Sequence, residues 1–108
     1  MEYIAVVTTI GTLAEAQAIA RTLLESKLAA CAQISEIESF YHWNDALQNE
    51  KEFRVLLKTT SERYPAIELA IKALHSYELP AIHAFALAHV YAPYAAWIDN
   101  NITDEQEK

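Results

Sequence analysis

The side chains in this sequence able to bind a metal or move a proton are few and scattered. There are four histidines and one cysteine. His75 and Glu78 stand at i and i+3 near the end of a helical stretch. Imidazole nitrogen and carboxylate oxygen together suit a divalent ion such as copper. The same histidine also suits the carbonyl end of a helix dipole, where it would cap or pack instead. Cys31 is a soft ligand by chemistry, yet it lies among alanines in Leu28-Ala29-Ala30-Cys31-Ala32. In such a run a thiol packs as a small hydrophobe, and no cation beside it in sequence favours the thiolate. His83 and His89 fall on one face of a predicted strand, roughly 20 Å apart, too far for one ion within a chain. Across a trimer axis, equivalent histidines would meet. His42, beside Trp43, belongs at the surface or an interface. Tyr41, Trp43, Tyr94 and Trp97 are able to stack a ligand, but aromatic residues of this kind are enriched at subunit contacts, and these four are assigned to an interface. Glu36, Glu38, Glu50 and Glu52 are expected to form a solvated hairpin face. Paired carboxylates for acid–base work need apolar burial to separate their pKa values, and the sequence around them offers none.

Nothing in the chain signals nucleophilic catalysis. It has no G-x-S-x-G, no P-loop, no H-E-x-x-H and no C-x-x-C, and no enzymatic activity is expected. At 108 residues the chain fits a single domain, and 53% hydrophobic content supplies a core. The net charge of −7 excludes a polyanion-binding stripe, so nucleic acid is not a partner. A lone cysteine forms no intrachain disulfide. No apolar run reaches the length of a membrane span. No basic stretch or separate apolar run precedes the first strand, so no signal peptide is read and the expected compartment is the cytoplasm.

These residues must be carried by alternating elements. Tyr3 to Thr9 is apolar, β-branched and too short for a helix, which predicts a buried strand. Gly11, the only glycine, breaks it. Thr12 and Glu15 form a capping box, and Ala16, Ile19, Ala20, Leu23 and Leu24 give one helical face that ends near Lys27. Leu28 to Ile34 is read as a strand. Beyond it Ile37, Ser39, Tyr41 and Trp43 alternate with Glu36, Glu38, Phe40 and His42, and the change of phase near Ser35 predicts a β-bulge. Asn44-Asp45 is a turn pair. Glu52 to Thr60 returns as a second strand, so the two segments make a long hairpin. Ser61 caps the next helix, Pro65 sits in its first turn, and Ile67, Ala70, Ile71 and Leu74 form its buried face. Leu79-Pro80 forces an extended link, and Ala81 to Val90 alternates as a strand. Pro93 opens a last helix with Tyr94, Trp97, Ile98 and Ile102 on one side.

The order β-α-β-β-α-β plus a C-terminal helix is α+β. It is the ferredoxin-like split βαβ arrangement, an antiparallel sheet with helices on one face. Residues 1–103 form that domain and residues 104–108 a frayed polar tail. The strands are apolar on both faces while helices cover one, so another copy of the chain is the expected cover. An acylphosphatase-like hydrolase would need a phosphate-holding arginine in the first strand–helix loop. That loop reads Thr8-Thr9-Ile10-Gly11-Thr12 and has none. A regulatory trimer binding a small ligand between subunits, as the PII signalling proteins do, remains an open alternative. A phosphate version would need basic residues in the cleft, and the whole chain has eight lysines and arginines.

Several segments also resemble the CutA family, in order along nearly the whole chain. Leu28-Ala29-Ala30-Cys31 resembles its LAAC signature, and Tyr41-His42-Trp43 its hairpin Y-x-W. Leu57-Lys58-Thr59-Thr60 resembles the end of its return strand. His75-Ser76-Tyr77-Glu78-Leu79-Pro80 resembles HPYExP, and Tyr94-Ala95-Ala96-Trp97-Ile98 the closing Y-L-x-W-I. The resemblance implies a ferredoxin-like fold, a tight homotrimer and an association with tolerance of divalent cations, copper especially. It implies no required cofactor. It places His75 and Glu78 in a cleft where copper or another divalent cation would bind weakly. The chain is a divergent member: Ser76 stands for the family's proline, Ala81 for a glutamate, Asn44 or Asp45 for a hairpin glycine, and Val90 for the glycine before the last helix. Without the glutamate at Ala81 the cleft loses a carboxylate.

Overall fold

A computed structural model describes residues 2–103; the tail at 104–108 lies outside the described residues. The elements are β1 (Tyr3–Ile10), α1 (Leu13–Glu25), β2 (Cys31–Trp43), β3 (Ala46–Thr60), a 3₁₀ turn (Ser61–Arg63), α2 (Tyr64–Leu74), β4 (Ile82–Ala86) and α3 (Ala92–Ile102). The four strands form one antiparallel sheet in the order β2-β3-β1-β4, the ferredoxin-like split βαβ topology. Alternate residues of β1 and β3 (Ile4, Val6, Ile10, Val55, Leu57) point to one side. There they are sealed by Ala16, Ile19 and Leu23 of α1 and Ile67 and Ile71 of α2. The opposite face carries Ala5, Val7, Leu56, His83 and Phe85. Helix α3 closes one end of that face, where Ile98 and Ile102 pack with Ala30, Tyr3 and Tyr94, and Tyr3 donates to Asp99 at 2.7 Å. Phe85, further along, stays half exposed.

Both ends of α1 are set by local caps. Thr12 Oγ1 accepts from the Glu15 N–H at 3.2 Å, which is one half of the expected capping box. Helix α1 stops at Glu25 because the chain turns left-handed at Lys27, with φ 60°. The Leu28 N–H donates to the Leu23 carbonyl and the Lys27 N–H to the Leu24 carbonyl, both at 3.0 Å, which is a Schellman motif. That position favours glycine. Lys27→Gly is therefore expected to stabilise the fold by about 1 kcal/mol, read as a higher denaturant midpoint at unchanged slope. An unchanged or lower midpoint would contradict it.

Three strand expectations need correction. The segment Leu28–Ile34 is strand only from Cys31 onward, because Leu28 and Ala29 complete the helix stop. The expected bulge near Ser35 is absent: pairing runs unbroken from Cys31 opposite Lys58 to Trp43 opposite Ala46. The apolar phase changes because the covered face changes. Ala32 and Ile34 pack beneath the helices. Beyond them the opposite side is sheltered, so Ile37, Ser39 and Tyr41 are half buried while Glu36, Glu38, Phe40 and His42 are exposed. The strand read over Ala81–Val90 spans only Ile82–Ala86, so His83 and His89 do not share a strand. At the hairpin tip Asn44 and Asp45 both take positive φ, 53° and 59°, as a two-residue type I′ turn demands. Strand β1 ends opposite Phe53, so the hairpin beyond it projects as a two-stranded ribbon from a molecule of 50 × 28 × 20 Å.

Candidate functional site

The segment linking α2 to β4, residues 75–81, is a loop bent at residues 77–79 and held at several points. Proline at position 80 and the residue before it refuse helix, so the backbone needs side-chain partners. The Tyr77 N–H donates to His75 Nδ1 at 3.2 Å. His75 Nε2 must then carry the proton, and it donates to the Thr9 carbonyl at 2.8 Å. Ser76 Oγ donates to Glu15 Oε2 at 2.8 Å. Glu15 thus spends its carboxylate on this loop instead of closing the capping box. The Tyr77 hydroxyl donates to Glu52 Oε2 at 2.7 Å. Gly11 permits this approach, since a Cβ there would lie 3.3 Å from the Tyr77 hydroxyl oxygen.

Facing the loop is the curled ribbon of the hairpin. Between them lies a cleft of about 870 Å³, walled by Tyr41, Trp43, Tyr77 and Leu79, with Glu50 and Glu52 contributed by β3. This is the size of a small-molecule site. Glu38, Glu50, Glu52 and Glu78 all line it, and its lining contains no lysine or arginine. The carboxylates are accommodated by phenols. Tyr41 donates to Glu50 as Tyr77 does to Glu52. The bond to Glu50, with some desolvation, holds the Tyr41 hydroxyl up at about 12. Burial, then the bond to Glu52, raises Tyr77 as well. The same device recurs away from the cleft: Asp99 raises Tyr3, and burial with Glu68 raises Tyr64. Glu52 is only 5% exposed.

The CutA1 divalent ion tolerance family model matches residues 4–101. This chain belongs to that family. It is 38% identical over 94 residues to the divalent-cation tolerance protein CutA of Archaeoglobus fulgidus, covering 87% of this chain and 92% of the relative. The Thermus thermophilus CutA is 36% identical over 87 residues, covering 80% and 84%. Among solved structures, the Archaeoglobus fulgidus CutA superposes with a TM-score of 0.92 at 36% identity, over 94% of this chain and 99% of that one. Synechococcus elongatus CutA gives 0.91 at 30%, over 94% and 91%. The family is named for tolerance, not for a reaction. The archaeal structure is described as periplasmic, which lends the cytoplasmic expectation no support. No helix among the described residues is long and apolar enough to cross a membrane.

The CutA-like segments converge on the cleft unequally. Ser76, Tyr77, Glu78 and Leu79 line it on one side and Tyr41, His42 and Trp43 on the other, and Ala81, where the family pattern has glutamate, lines it too. Glu78 lines the cleft and is exposed. His75 does not line it; both its nitrogens are engaged by backbone. Cys31 is half buried at the opposite end of β2, across from Lys58. The structure thus does not bring Cys31, His75 and Glu78 together, and among the described residues no three His, Cys, Asp or Glu side chains converge as a metal would require. Of the four aromatic residues assigned to an interface, Tyr41 and Trp43 stand in the cleft. Tyr94 and Trp97 stack on each other at 5.6 Å, with the Lys58 ammonium 5.4 Å from the Tyr94 ring. The reading of Glu36, Glu38, Glu50 and Glu52 as one solvated face is wrong in two ways. Glu36 and Glu38 lie on the opposite sheet face from Glu50 and Glu52, and Glu52 is buried. Sequence reasoning missed Glu52 and Tyr77 as a pair, since the two are 25 residues apart with no periodicity to link them.

Proposed function

We propose that this chain works as a homotrimer in tolerance of divalent cations, without catalysis, and that the cleft borders a subunit contact. The observation that carries the reading is the projecting hairpin. A two-stranded ribbon is marginal alone in water. This one carries Phe40 and Leu47 exposed, and Phe85 is exposed on the sheet face not covered by α1 and α2. A second copy supplies the cover both need. Divalent ions such as copper are held weakly, with donors from more than one chain. Glu78 and Glu50 are better placed for this than His75, whose nitrogens already have partners. No ion is required for the fold. A PII-like phosphate ligand fits poorly, because the cleft offers carboxylates and no cation. Light scattering at low micromolar concentration, with chelator present, is expected to give about three times 12.2 kDa. A monomer would sink the assembly, and loss of the trimer in chelator would make the metal structural and overturn the reading.

A further inference from the structure

We infer that the cleft between the hairpin and the His75–Ala81 segment binds an organic ammonium ion. The inference goes beyond the divalent-cation reading and does not depend on it. Three observations carry it. Glu52 is 5% exposed and lines the cleft, its Oε2 accepts from the neutral Tyr77 hydroxyl, and no lysine or arginine lines the cleft beside it. A buried carboxylate without a cation is costly to keep, so a cation entering the cleft gains more there than at the surface. Next, aromatic side chains line the cleft. Tyr41, Trp43 and Tyr77 border the same space, and an ammonium beside a desolvated aromatic face is favoured by the ring quadrupole. Finally, the donor geometry discriminates between kinds of cation. A bare divalent ion needs several converging donors, and no three His, Cys, Asp or Glu converge among the described residues. An alkylammonium needs one carboxylate, ring faces and room for its carbon body, and about 870 Å³ supplies that room. The lining also repels the alternative of an anionic ligand, since it holds four glutamates and no lysine or arginine.

The test is a titration of the whole protein, followed by NMR at the two indole N–H groups. The probes are 1,4-diaminobutane, tetramethylammonium, n-butanol as the uncharged counterpart, and copper chloride alone. Trp43 lines the cleft; Trp97 does not and serves as the internal control. Saturable movement of the Trp43 signal by the amines, with Trp97 and the butanol titration flat, is the expected result. Glu52→Gln is expected to weaken amine binding roughly ten-fold or more, and Trp43→Ala several-fold. Trp43 is a hairpin-tip residue 41% exposed, so its variant keeps the proposal testable, by calorimetry, if Glu52→Gln fails to fold. Absence of saturation by amine, equal movement of both indoles, or unchanged affinity in folded Glu52→Gln would each overturn the assignment. If copper alone moves Trp43 and the amines do not, the ammonium assignment falls while the divalent-cation reading stands.

Discussion

His75→Ala is expected to lower stability by about 2–4 kcal/mol while leaving copper affinity unchanged. The imidazole bridges two chain segments, donating to the Thr9 carbonyl at the end of β1 and accepting from the Tyr77 N–H. Alanine removes two hydrogen bonds and strands a half-buried carbonyl and amide, each worth about 1–3 kcal/mol when left unmade. Ring contact between His75 and Tyr77, with centroids 4.8 Å apart, is lost as well. In a domain of this size that is a fall in melting temperature of roughly 10–20 °C. Thermal unfolding and copper calorimetry on the same variant separate the roles. A variant as stable as wild type but blind to copper would make His75 a ligand and the hydrogen-bond assignment irrelevant.

Alkali should expose the phenol–carboxylate pairs. A free tyrosine ionises near 10, whereas Tyr41 in the folded chain is pushed up to about 12 and Tyr3, Tyr64 and Tyr77 are raised too. The folded state therefore holds protons that the unfolded state has released, and stability falls as pH rises. The contribution is whole below about pH 10 and is lost progressively as pH passes through the folded values, about 12 for Tyr41. Phenolate absorbance at about pH 11 should thus report fewer than the six tyrosines of the sequence, the rest ionising only as circular dichroism collapses. Tyr77→Phe removes the donor to a buried carboxylate and should cost about 2–3 kcal/mol at neutral pH. Ionisation of all six phenols as one group near pH 10, with the fold intact, would dispose of the pairing.

Elements with a local cause were legible in the sequence. The Thr12 cap, the Asn44-Asp45 turn, the Pro93 start of α3 and most of the apolar faces of α1 and α2 follow from side chains within one or two turns of backbone, and the structure has them, though Leu24 and Leu74 lie exposed at the ends of those faces. Their order alone implies the split βαβ sheet. Family membership was legible too, because its signatures lie on contiguous residues. Tertiary structure decided the rest. The hairpin's apolar residues switch phase with no bulge because the sheltered side changes where the ribbon leaves the helices, a fact about neighbours that no strand periodicity encodes. His75 and Glu78 looked like a ligand pair by spacing. Folding instead carried both nitrogens of His75 to backbone partners, one of them 66 residues away. Glu52 looked like one more solvated glutamate, and became the buried acceptor of a phenol because the loop before β4 lies across it. Propensity and capping act within a few residues, so sequence determined the elements. Burial and hydrogen-bond partnership depend on what distant segments bring, so only the packed chain could determine which carboxylate is buried.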